Sequence, residues 1–123
     1  FNKTDKGLSC HMTLRSSDLF LGLPFNIAST ALLTQILATV LHIDISEICL
    51  SICDAHIYQE HVQQIDKQVS QDPYELPQLI IKKFPPPIDI SIDEKINWIE
   101  SLKYEDFELK DYLSHPALPA IMK

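Results

Sequence analysis

Residues 19–43 contain no Asp, Glu, Lys or Arg. An uncharged run of that length either crosses a membrane or forms an element with apolar contacts on most of its sides. Gly22, Pro24, Asn26, Ser29, Thr30, Thr34 and Gln35 interrupt it with polar groups and breakers, which favours a helix buried in a soluble core over a membrane span. Pro24 suits the first turn of a helix, where the missing N–H costs nothing. The pattern predicts an apolar loop over 19–24 and a helix over 25–41. Phe25, Ile27, Ala28, Ala31, Leu32, Leu33, Ile36, Leu37 and Val40 lie on nearly every face of that helix. A helix apolar all round belongs in the centre of a sizeable domain. The rest of the chain has few other long apolar stretches, so part of that core is expected from sequence outside this chain or from another subunit.

Asp5-Lys6-Gly7 reads as a turn, followed by a strand over 8–14. A second strand is predicted over 47–58. Its even positions run Ile48, Leu50, Ile52, then Asp54, His56, Tyr58; its odd positions are Cys49, Ser51, Cys53, Ala55, Ile57. Small or apolar residues on both faces predict burial on both, with one face turning polar at its end. An amphipathic helix over 59–71 is stopped by Asp72-Pro73. A strand over 78–83 precedes the break Pro85-Pro86-Pro87. A short helix over 93–102 with Asp93 as N-cap and a last strand over 107–112 complete the pattern. Helices alternate with strands and nothing repeats, so the fold class is mixed α/β (α+β).

The 123 residues suit one domain or a piece of one. With 46% hydrophobic and 22% charged residues, disordered and low-complexity classes are excluded. A net charge of −7, with Arg15 the single arginine, speaks against nucleic acid as a partner. Cys10, Cys49 and Cys53 form no CxxC pair and no disulfide framework, which predicts a reducing, cytoplasmic setting. The opening Phe1-Asn2-Lys3 has neither an initiator Met nor a signal-peptide pattern, so a piece cut from something longer is expected.

Several residues could carry chemistry. Arg15-Ser16-Ser17-Asp18 offers a guanidinium fork and two hydroxyls, suited to a phosphate or carboxylate; a salt bridge from Arg15 to Asp18 or a plain surface loop explains the same four residues. Asn26 presents a donor and an acceptor that match the edge of an amide-like ring, or it caps free helix N–H groups. Asp54, His56 and Tyr58 share one face at a strand end, where binding sites collect. His56 and His61 raise a metal option, but no thiolate pair completes a set and no metal is expected. Cys10 and His11 are adjacent on a strand and point to opposite faces, so they do not form a nucleophile–base pair.

Taken together, the run Arg15-Ser16-Ser17-Asp18-Leu19-Phe20-Leu21-Gly22-Leu23-Pro24-Phe25-Asn26-Ile27-Ala28-Ser29 resembles the signature of the thymidylate synthase family. Asp54-Ala55-His56-Ile57-Tyr58, with His61 three residues on, is similar to its second motif. Leu76-Pro77 with Leu79-Ile80-Ile81, then Glu105-Asp106-Phe107, Tyr112 and His115-Pro116, are similar to its C-terminal landmarks. The resemblance implies that residues 1–123 are the C-terminal half of a single synthase domain with a large bent sheet and a central buried helix. The parent would be a homodimer, or the synthase part of a fusion with dihydrofolate reductase. It implies conversion of dUMP to dTMP with 5,10-methylenetetrahydrofolate as co-substrate. Arg15 and Ser16 would hold the phosphate, Asn26 would read the uracil edge, and His56 and Tyr58 would bind the ribose 3′-hydroxyl; Ser17 and Asp18 are also among the substrate-binding candidates. Asp18 would bind the pterin, with Leu21, Gly22 and Phe25 along its pocket; Asp18 and Asn26 are the catalytic candidates.

The family's reaction begins with a cysteine thiolate attacking the pyrimidine ring. Its Pro-Cys-His motif lies roughly twenty residues before the arginine, ahead of Phe1 here, so the 123 residues alone are expected to be inactive. Leu14 stands where the family has Gln, Thr30 where it has Tyr, and Cys53 where it has Gly; residues 89–104 look like an insertion. Two alternatives accompany the synthase reading: a related pyrimidine hydroxymethylase, in which the residue at Asn26 is commonly Asp, and a non-catalytic nucleotide-binding fragment.

Overall fold

A computed structural model describes residues 1–121. The order is β1 (Asn2–Thr4), β2 (Gly7–Asp18), α1 (Gly22–Leu41), β3 (Ile45–His56), a 3-10 turn (Gln59–His61), α2 (Val62–Val69), β4 (Gln78–Ile81), α3 (Ile92–Glu100), a second 3-10 turn (Tyr104–Asp106) and β5 (Phe107–Lys110). The mixed class is as expected. The described residues form a three-stranded sheet, β1-β2-β3, and a separate β4-β5 pair, rather than one large sheet.

The frame is a β2–α1–β3 unit. β2 and β3 run parallel, in register from Leu8↔Ile45 to Asp18↔His56, with one irregularity between Leu8 and Ser9. The ladder carries β2 four residues past the expected end at Leu14, because β3 is long enough to pair with it up to Asp18. β1, not expected from sequence, adds an antiparallel edge through the Asp5-Lys6 turn. Gly7 has φ +125°, and a Cβ there would fall on the Asp44 carbonyl oxygen; only glycine fits this junction.

α1 starts three residues earlier than predicted. The Asp18 carboxylate accepts the N–H groups of Phe20 and Leu21 at 3.0 and 3.3 Å, which turns the chain from strand into helix at once. Pro24 does fall in the first turn. The expectation of an apolar core helix is corrected in detail. The buried stripe is Thr30, Thr34 and Ala38, with Val40, whereas Phe25 is 76% exposed and Ile27 and Leu33 are also exposed. The threonines tolerate burial because Thr30 and Thr34 donate to the carbonyls of Asn26 and Thr30, both at 2.7 Å. Small side chains let the helix lie close on the sheet, and the larger apolar ones are left facing outward. By length and composition this helix could cross a membrane; its small-residue stripe instead lies against β2, where Thr30 Oγ1 is 2.8 Å from Met12 Sδ.

β3 also departs from expectation. Its even residues Ile48, Leu50 and Ile52 are half-buried, but Cys49, Ser51 and Cys53 are exposed. α1 covers only the even face, and no described element covers the other. α3 begins at Ile92 with Ser91 as N-cap, not Asp93. Ser91 and Glu94 form a capping box, which outcompetes an aspartate two positions further in.

Candidate functional site

In a parallel β–α–β unit the helix returns beside the strands, so its first turn lies next to their carboxyl ends, where ligand sites of open sheets collect. Here that corner contains the end of β2, the end of β3 and the start of α1. Asp18 is opposite His56 in the ladder, and the Leu19 N–H donates to the His56 carbonyl at 2.9 Å. The corner is therefore stitched by main-chain bonds before any side chain acts.

A row of polar side chains follows the even face. The Ser16 hydroxyl donates to Asp54 Oδ2 at 3.0 Å. The same oxygen lies 3.5 Å from His56 Nδ1. The His56 ring meets Tyr58 edge-on, centroids 5.3 Å apart at 85°, and Tyr58 in turn meets His61 at 5.7 Å and 74°. The carboxylate stands between the serine and the histidine, whereas a hydrolytic triad places the histidine in the middle. His56 Nδ1 faces Asp54 at ion-pair distance but makes no hydrogen bond among the described residues. Ser17 is buried, and its hydroxyl has no partner among the described residues.

Arg15 stands apart from this row. It falls between the paired positions Leu14↔Ile52 and Ser16↔Asp54, so strand alternation puts it on the opposite face from Ser16. It is exposed and makes no ion pair or hydrogen bond among the described residues. The alternative of an Arg15–Asp18 salt bridge is not realised, since both Asp18 oxygens cap the turn. Asn26 is half-buried one turn into α1. Its carbonyl accepts from Ser29 and Thr30, and its side-chain amide does not cap the helix. Cys10 is buried and His11 is exposed and bonded to Ser51, on opposite faces as expected.

Leu21 and Phe25 border a cavity of about 600 Å³ between the start of α1 and the segment after β5, which Phe20, Gln68, Tyr112 and His115 also line. Gly22 lies in the first turn of α1 between Leu21 and Phe25. Two residues here carry more than their motif positions suggested. Asp54 links Ser16 to His56, a role readable from its place two residues before His56. His61 packs under Tyr58 and against Phe20; its partner Ile121 lies 60 residues on, and no local pattern announces it. No group of three or more His, Cys, Asp or Glu that could hold a metal ion occurs among the described residues.

The family model described as thymidylate synthase matches residues 1–123. A thymidylate synthase of Francisella tularensis subsp. holarctica (strain LVS) is 42% identical over 120 residues, 98% of this chain and 40% of the relative. That of Mycoplasma mobile is 39% identical over 98% of this chain and 38% of the relative. That of Malacoplasma penetrans is 42% identical over 96% and 37%. The chain thus spans about two-fifths of the length of these curated relatives. A match that runs through both motifs and the corner they build is not a local coincidence, and the chain belongs to the thymidylate synthase family.

Proposed function

We propose that this chain is the C-terminal half of a thymidylate synthase domain and supplies much of the nucleotide and folate contact surface for converting dUMP to dTMP. 5,10-Methylenetetrahydrofolate is the co-substrate, giving carbon and hydride; the setting is cytoplasmic and the assembly a homodimer. The observation that carries the reading is the corner where β2, β3 and α1 meet, with Ser16, Asp54, His56 and Tyr58 in one connected row.

In this reading Ser16 donates to the phosphate, while Ser17 stands with Arg15 on the other face of β2. Arg15 contributes the bidentate charge, its long side chain reaching around the sheet end or serving the opposite face of a partner copy. His56 and Tyr58 hydrogen-bond the ribose 3′-hydroxyl, with Asp54 orienting the imidazole. The uncommitted amide of Asn26 reads the uracil edge, because it offers both a donor and an acceptor. Asn rather than Asp at this position favours uracil methylation over pyrimidine hydroxymethylation. Asp18, Leu21, Gly22 and Phe25 serve the pterin side, in keeping with the cavity that Leu21 and Phe25 border. Covalent activation of the ring is assigned to a cysteine outside residues 1–123. Cys10 is buried within β2, and Cys49 and Cys53 occupy the odd positions of β3, facing away from the row.

The test is a chimera in which this chain replaces the matching two-fifths of the Francisella relative. The expected result is dTMP formation, with His56→Ala raising the KM for dUMP. A folded chimera that binds no dUMP would refute the assignment.

A further inference from the structure

We propose that His61 is a positioning residue that couples docking of residues 116–121 to the orientation of Tyr58. The proposal rests on the reading of Tyr58 as a nucleotide contact. His61 is 1% exposed, and with Thr34 it is one of the two most completely buried large side chains described. Burying an imidazole is costly unless its polar atoms are met; Nδ1 has no partner among the described residues, so the placement of the ring rests on Nε2 and on its packing surface. Nε2 lies 2.9 Å from the Ile121 carbonyl. Only an N–H can bond a carbonyl, which fixes the Nε2–H tautomer. The ring packs against Tyr58 on one side and Phe20 on another, at 5.7 and 5.5 Å. Gln64, in the first turn of α2, adds a second tie from its amide to the Pro119 carbonyl at 3.4 Å.

One rigid side chain therefore touches the proposed ribose-binding tyrosine, the turn between β2 and α1, and the last described part of the chain. Packed side chains move between discrete arrangements rather than deforming continuously. If the imidazole turns to release Ile121, its edge against Tyr58 is lost as well. The tail and the tyrosine thus share one two-state element, and a shared element makes the coupling reciprocal: whatever orders Tyr58 orders the tail, by the same factor.

The experiment follows amide exchange in residues 117–121, the Tyr58 ring resonances and dUMP affinity in the full chain. dUMP is expected to slow exchange in the tail by about tenfold, within the usual range of such couplings. His61→Phe keeps the ring contacts and loses the donor; it should free the tail, weaken dUMP binding by a similar factor and abolish the effect of dUMP on the tail. His61→Gln, whose amide nitrogen can reach the Ile121 carbonyl, should restore tail protection. Truncation after Pro116 should move the Tyr58 ring resonances even without ligand, through the ring contact of His61 with Tyr58. Tyr58 resonances unmoved by truncation, or a freed tail with unchanged dUMP affinity, would overturn the coupling. If the unaltered chain does not bind dUMP, the nucleotide reading fails, and the ligand-free response of Tyr58 still decides the coupling.

Discussion

The β2–α1–β3 unit and the chain after it are held together by different means. In the first, a long parallel ladder and the Thr30–Thr34–Ala38 stripe do the holding. In the second the only ladder among the described residues is the short β4–β5 pair, and several ties between segments run from a side-chain donor to a main-chain carbonyl. Trp98 Nε1 donates to Phe84 at 2.8 Å, Lys95 to Ile88 at 2.7 Å, and Lys83 to Ser101 at 3.1 Å. The ring Nε2 atoms of His42 and His115 bond the carbonyls of Pro86 and Asp72. A stretch containing Pro85-Pro86-Pro87 has few N–H groups with which to build a ladder, so its carbonyls are met by side chains instead. The comparison teaches where each kind of change will be felt. Backbone substitutions should break the first region, and loss of single side chains should break the second.

Four substitutions bear on that contrast. Trp98→Ala removes the one buried large apolar side chain described after β3; it should cost about 3–5 kcal/mol by thermal or denaturant unfolding. Amide exchange should rise over 84–102 while the β2–β3 ladder stays protected; equal loosening of both would erase the distinction. Gly7→Ala forces a Cβ onto the Asp44 carbonyl at φ +125° and should cost at least about 2 kcal/mol, with exchange rising along β2 and β3 first.

Ser91→Ala removes the hydroxyl that caps α3 and should cost about 1 kcal/mol, seen as a lowered Tm and fraying of α3. The Ser91 hydroxyl, and then its N–H, donate to Glu94 and hold that carboxyl below its ordinary value. A lowered folded value means the carboxylate's contribution is complete above the unfolded value, about 4.3 for glutamate, and is lost as the pH falls toward the lower folded one. α3 should therefore loosen in acid, and Ser91→Ala should flatten that dependence. Thr34→Val should have the smallest effect, below about 1 kcal/mol, because the Thr30 carbonyl that Thr34 bonds remains available to the helix ladder. A large loss there would mean that the threonine hydroxyls, rather than their small size, seat α1 on the sheet.

Much of the site was legible in the order of residues. The placing of Asp54, His56 and Tyr58 together needs only the two-residue period of a strand, and Pro24 in a first turn needs only its missing N–H. The same period separates Arg15 from Ser16, a consequence that the phosphate-binding motif hides when it is read as a run. The motifs announce a nucleotide site, but the strand decides on which face each motif residue stands.

Residue order sets local features: the alternation along β2 and β3, the turn at Gly7, the breaks at Pro73 and Pro85, and the chemistry at the strand ends. Tertiary structure alone decided which surfaces are covered. Burial on both faces was expected of β3, yet Cys49 and Cys53 are exposed, because α1 lies on one face only. An apolar surround was expected of α1, yet threonines fill its contact with β2, because close approach of helix to sheet selects small side chains over greasy ones. The bond from His61 to Ile121 spans 60 residues. Periodicity reports which face a side chain takes, and only the folded chain decides what meets that face.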